Sequence, residues 1–204
     1  MTYFRRHALP LILLSSFAQA TVAEPSALDR TSIPIAAPDY PAITEIDATK
    51  IQPPPLQVIS PPKKAPNIVL ILTDDVGYGV PSTFGGPVDT PALDRLARNG
   101  LSYTRFHTTA LCSPTRSALK AGRNHHMVNV GSVQEIATAF PGNTGQIPNT
   151  TAPVAEILRL NGYNTAAFGK WHETALTDTS VSGPQHNWPN RQGFEKFYGF
   201  IGAE

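Results

Sequence analysis

The sequence predicts an α/β fold with a mostly parallel sheet flanked by helices on both faces. Three observations carry that prediction. Ile68-Val69-Leu70-Ile71-Leu72 is an unbroken apolar run without alternation, the pattern of a strand buried on both faces inside a helix-covered sheet. Two helix-like segments, Asp89 to Gly100 and Ala152 to Asn161, are each followed by a strand-like one, Leu101 to His107 and Asn164 to Phe168. Strands alternating with helices at this spacing form parallel units. At 204 residues the chain is long enough for one domain with its own core.

The elements follow in order. Residues 1–20 read as a cleaved secretory signal. Arg5, Arg6 and His7 are a basic start, Leu9 to Phe17 is a short apolar run, and Ala18-Gln19-Ala20 is a small-x-small cleavage pattern. The run is far short of the ~20 residues a bilayer span needs, so no stable membrane span is expected. The mature chain is then periplasmic or secreted. Residues 21–66 hold ten of the chain's 20 prolines. Fixed φ angles and missing N–H donors predict an extended, polyproline-like linker, either laid across the domain surface or disordered. The folded part begins at Asn67. The helix over 89–100 has a capping residue, proline in its first turn and glycine at its end; that over 152–161 has Pro153 near its start and Gly162 as its stop. Thr174 to Asn190, polar and rich in turn formers, reads as a loop.

Composition excludes several functions. With 16 Lys and Arg against 15 Asp and Glu, the net charge is +1, so no nucleic-acid surface and no acidic tail is expected. The single cysteine rules out an internal disulfide and a cysteine-rich zinc module.

Two clusters point to chemistry. Asp74 and Asp75 follow the apolar strand directly, at the carboxyl end where open α/β sheets bind ligands. Adjacent carboxylates repel unless a cation lies by them, and hard oxygens suit Ca²⁺ or Mg²⁺; capping of the following Val76-Gly77-Tyr78-Gly79 turn is the other reading. Cys112 lies in Leu111-Cys112-Ser113-Pro114-Thr115-Arg116. An unpaired thiol in an exported chain implies burial or chemistry. A helix starting near Pro114 would set Arg116 one turn from the sulfur.

Cys112-Ser113-Pro114-Thr115-Arg116, continued by Ser117-Ala118-Leu119-Lys120-Ala121-Gly122-Arg123, resembles the signature of the type I, formylglycine-dependent sulfatases. Asn67 to Tyr78 resembles that family's first strand and its metal-binding aspartate pair. Phe106 to Leu111 and Gly122-Arg123-Asn124-His125-His126 are similar to arylsulfatases, and Gly169-Lys170-Trp171-His172 matches the family's G-K-W-H element. The resemblance covers Pro66 to Glu204 and implies an alkaline-phosphatase-like fold, with 67–204 as the N-terminal part of the catalytic domain.

It implies a sulfuric ester hydrolase. Cys112 would be oxidised to Cα-formylglycine by a generating enzyme that reads this segment. One oxygen of the hydrated aldehyde would attack sulfur and release the alcohol, and the second hydroxyl would lose a proton and expel sulfate. Asp74, Asp75 and the group at Cys112 would hold Ca²⁺, which would polarise the ester. Arg116 would hold the diol, while Lys170 would bind the sulfate and the leaving oxygen. His172, projecting the same way as Lys170 if the segment is extended, would orient the diol or assist its proton transfers. His125 and His126 would line the entrance or form a polar surface pair, and Arg123 would pack behind Cys112. Two other readings stay open: a phosphonate or phosphate ester hydrolase of the same superfamily, and a non-catalytic remnant.

Two residues depart from the signature, Lys120 for leucine and Ala121 for threonine. Such enzymes are also typically more than twice as long, and another histidine, an Asp-Asn pair and a lysine would lie downstream. The expectation is an N-terminal fragment, inactive and aggregation-prone alone.

Overall fold

The computed structural model describes residues 28–40, 42–54 and 56–203; the expected signal over 1–20 and the first residues of the linker lie outside them. Three helices and one two-stranded sheet organise the folded part: α1 (Pro91–Asn99), α2 (Cys112–Ala121), α3 (Val154–Leu160), β1 (Ala166–Lys170) and β2 (Lys196–Phe200). β1 and β2 run parallel in the register Ala166↔Lys196 to Lys170↔Phe200. Short 3-10 turns, among them His125–Val128 and Pro189–Arg191, fill the connections.

The helix signals act where the sequence places them. α1 starts with proline in its first turn, where a missing N–H costs nothing, and Asp94 accepts from the Ser82 and Thr83 hydroxyls that lead into it. α3 is two residues shorter than expected at its start because Pro153 serves as the cap rather than the first turn. Gly162 ends it at φ +88, and a Cβ there would lie 2.6 Å from the backbone of Ser60, so position 162 tolerates only glycine. That close approach shows the proline-rich segment lying on the domain: Ile35 is buried, and Arg30 donates to the Asn161 carbonyl and to Ser60.

The core sits where α2 meets residues 171–175 and the turn at 187–192. Val128, Val130, Ala155, Trp171 and Ala175 are its apolar members, and Ser113, Ser117, Glu173 and Thr174 are buried among them. Trp171 meets Phe194 and Phe197 edge-on, with ring centres 5.6 and 6.2 Å away, each contact stabilising by about 0.5–1.5 kcal/mol beyond burial. The carbonyl of Asn187 accepts from Trp171, Thr174 and Gln192. Thr174 to Asn190 is a loop, as expected, and these bonds tie its two ends together.

Two expected strands differ. Ile68–Leu72 and Leu101–His107 belong to no sheet among the described residues, and Val69, Ile71, Leu101 and Phe106 are 80, 75, 85 and 70% exposed. A strand apolar on both faces needs neighbours to bond its backbone and helices to cover it, and no described strand pairs with either. Likewise Leu93 and Leu96 of α1 face outward.

Candidate active site

α2 forms the first wall. Cys112 is its opening residue, and Pro114 falls within the first turn, where the N–H has no helical partner. Thr109 steadies this start by donating to the Leu111 carbonyl and meeting the Thr115 hydroxyl at 2.6 Å. Cys112, Arg116 and Lys120 follow at four-residue spacing, so one helix face carries all three.

The end of β1 forms the second wall. Lys170 closes the strand, and the pairing continues as Trp171 N–H donates to Phe200 and His172 N–H to Ile201. His172 is not extended, as the sequence reading assumed, but sits at φ +54. That left-handed backbone costs a non-glycine residue on the order of 1–3 kcal/mol, and from it His172 meets Cys112 of α2.

The walls meet in specific contacts. Cys112 Sγ lies 3.1 Å from His172 Nδ1. His172 Nε2 lies 2.9 Å from each carboxylate oxygen of Glu135. A carboxylate can only accept, so Nε2 carries the hydrogen and, in the neutral ring, Nδ1 presents its lone pair to the sulfur. Lys170 Nζ donates to Asp74 at 2.7 Å, Arg116 Nη2 to its other oxygen at 3.0 Å, and Arg116 Nη1 to the Lys170 carbonyl at 2.9 Å. Asp74 is thus clamped by two cations, and the Lys170 hydrogen bond chiefly, helped by Arg116, holds its pKa below the usual value. Burial pushes the Glu135 carboxyl up, but the hydrogen bond from His172, a backbone hydrogen bond and the nearby charge of Lys170 together hold it below its usual value.

Of the six residues singled out from sequence, Asp74, Arg116 and Lys170 therefore form one cluster, and Cys112 and His172 form a second between the same two walls. Asp75 stands beside the first, exposed, at φ +52. Arg116 lies on the expected face, but its guanidinium is engaged by Asp74 and Lys170. His125 and His126 brace the following loop through the carbonyls of Val130 and Gly142, and Arg123 is exposed rather than packed behind Cys112. Glu135 and Glu173 lie in no motif, and Ser117 appears only as a member of the signature stretch. Lys120, noted only as a departure, is largely buried and paired with Glu173. Its four-residue spacing from Arg116 was the signal available.

Two buried polar atoms in the first turns of α2, Ser113 Oγ and Arg116 Nε, have no partner. Asp74 and Asp75 offer hard carboxylate oxygens that fit Ca²⁺ in kind. Among the described residues no three candidate ligands converge, so these two would form part of a shell of about six to eight oxygens.

Residues 66–204 match the family model described as Sulfatase. The chain is 40% identical to arylsulfatase A of Homo sapiens over 139 residues, 67% of this chain and 25% of that protein. It is 36% identical to the steryl-sulfatase of Homo sapiens, over 66% of this chain and 23% of that one. The crystal structure of Ps i-CgsB superposes with a TM-score of 0.53 at 31% identity, covering 68% of this chain and 28% of that chain. The chain thus spans about a quarter of the length of the relatives it matches.

Proposed function

The chain belongs to the Sulfatase family, and from that premise we propose that it carries the nucleophile-bearing part of a sulfuric ester hydrolase site. The observation that carries the reading is the pairing of α2 with the end of β1 at two places, Cys112 with His172 and Arg116 with Lys170, the second pair sharing Asp74.

The chemistry follows from charge and geometry. Transfer of a sulfuryl group, like that of a phosphoryl group, depends on orienting and neutralising anionic oxygens. Lys170 and Arg116 are 15 and 11% exposed, so their charges act in a partly desolvated site where they are worth more than in water. They would exchange Asp74 for the sulfate oxygens, Lys170 also meeting the leaving oxygen. His172, with Nε2–H held by Glu135, turns Nδ1 toward position 112, where it can take a proton from the nucleophile and return it. The aldehyde left by oxidation of Cys112 supplies, once hydrated, an oxygen nucleophile. Asp74 and Asp75, with the group at 112, would hold Ca²⁺, which supplies charge neutralisation at the ester.

The rest of the proposal concerns organisation. Residues 1–20 would direct export to the periplasm or outside the cell, 21–66 form the linker, and 67–204 belong to the catalytic domain. A formylglycine-generating enzyme would be the maturation partner and a sulfate ester the substrate. No helix among the described residues is long and apolar enough to cross a membrane. The test is turnover of an aryl sulfate, an aryl phosphate and an aryl phosphonate by the full-length protein, of which these residues are the N-terminal part, matured with its generating enzyme. Sulfate turnover that Cys112→Ala abolishes is expected; equal turnover by Cys112→Ala, or preference for either phosphorus ester, would overturn it.

A further inference from the structure

We infer that Lys120 and Glu173 form a positioning pair that fixes α2, with Cys112 and Arg116, against the segment bearing Lys170 and His172; the inference rests on the proposed function in that these four are taken to be the working groups. Three ties join the two elements. The first is Cys112 to His172 and the second Arg116 to the Lys170 carbonyl. Both involve groups that must change partners when an ester enters. The third, from Ser117 and Lys120 to Glu173, touches none of the reacting atoms and is the most buried.

Its geometry leaves little slack. Lys120 Nζ lies 2.8 Å from Glu173 Oε1, 3.1 Å from Gln192 Oε1, and 3.3 Å from the centre of the Trp171 ring. Ser117 Oγ donates to Glu173 Oε2 at 2.9 Å, so both carboxylate oxygens are engaged. The side chains of Lys120 and Glu173 are 10 and 2% exposed. Lys120 continues the helix face of Cys112 and Arg116, and Glu173 adjoins His172. A slip of either element would therefore break the pair and shift the site together.

A buried ion pair is a poor device for stability, because desolvating both charges consumes most of their attraction; its attested use is to fix register. The cost is visible here: burial draws Lys120 down to about 8 and pushes Glu173 up, with Arg116 the other charge acting on both. An apolar pair of similar size would join the same surfaces without imposing a register.

The experiment compares the full-length protein, matured with its generating enzyme, with its Glu173→Gln and Lys120→Met/Glu173→Met variants, following thermal unfolding, the ring proton signal of His172 (assigned by its loss in His172→Gln) and aryl sulfate kinetics. The double variant is expected to keep Tm within about 5 °C, to shift the His172 signal, and to lower kcat by about tenfold or more with KM within about threefold. A double variant with wild-type His172 signal and wild-type kcat would overturn the inference and leave the pair merely structural. Should the double variant not fold, Glu173→Gln decides the matter: a folded protein with a moved His172 signal supports positioning, and an unmoved signal overturns it. Absence of sulfate turnover in the wild type would count against the hydrolase reading alone, since the His172 signal needs no substrate.

Discussion

Glu135→Leu tests the contact that sets the orientation of His172. The carboxylate accepts the Nε2–H at 2.9 Å with both oxygens, and the imidazole is 3% exposed. Removing the acceptor strands a buried donor, for which the penalty is about 1–3 kcal/mol. Glu135 itself is 44% exposed, so water can partly replace it and screening reduces the loss to about 1–2 kcal/mol. At this chain length that is a fall in Tm of about 3–6 °C. Urea unfolding of wild type and variant reads the same difference through the midpoint at constant slope. The ring nitrogens report the chemistry separately. In the wild type Nε2 is the protonated nitrogen, and in Glu135→Leu the hydrogen is free to move to Nδ1, where it would face the sulfur. Glu135→Gln, which keeps a neutral acceptor, should lose less than half as much stability. Equal stability of Glu135→Leu and wild type, with an unchanged pattern of ring ¹⁵N shifts, would refute this role for Glu135.

Three further outcomes are expected. Gly193→Ala should prevent stable folding, because φ is +90 and the added methyl would lie 2.2 Å from the Glu156 backbone nitrogen in α3; a soluble variant with wild-type Tm would contradict that close approach. Val69→Lys and Ile71→Lys, at positions 80 and 75% exposed, should slow aggregation followed by light scattering while leaving Tm within about 2 °C, since exposed apolar strands promote edge pairing and surface charge opposes it. Faster aggregation, or a large fall in Tm, would show that the run is covered. Lys120, drawn down to about 8 by burial from 10.5, binds fewer protons folded than unfolded between those values, so its contribution to stability rises with pH across that window. Glu173, pushed up by burial from 4.5, contributes most below that value, and its share is lost as pH climbs through the folded pKa. Denaturant unfolding of wild type and Lys120→Met from pH 7 to 10.5 should show the alkaline rise only in the wild type; parallel profiles would refute it.

What could be read from the sequence was what local chemistry decides. Pro91 with Gly100, and Pro153 with Gly162, marked two helices because those residues act on their own backbone. The spacing of Cys112 and Arg116 described a helix face correctly, since α2 runs through both. Ile68–Leu72 has the composition of a strand buried on both faces but forms no described strand and lies exposed, because apolarity states a demand for cover and cannot supply it. The backbone turn at His172 has no sequence signal, because alternation assumes extended backbone, whereas residue 172 takes φ +54. Glu135 and Glu173 escaped notice for a different reason. Their roles arise from contacts 37 and 56 positions away in the chain, to His172 and Ser117, and neither sits in a motif of its own.

The account depends most on the chemical state of position 112. Peptide mapping of the protein matured with its generating enzyme, with hydrazide capture of carbonyls and turnover measured on the same samples, tests it most directly. The account predicts a hydrazide-reactive carbonyl at residue 112 and sulfate ester hydrolysis in proportion to the fraction converted. An unmodified thiol throughout, with hydrolysis undiminished, would contradict it.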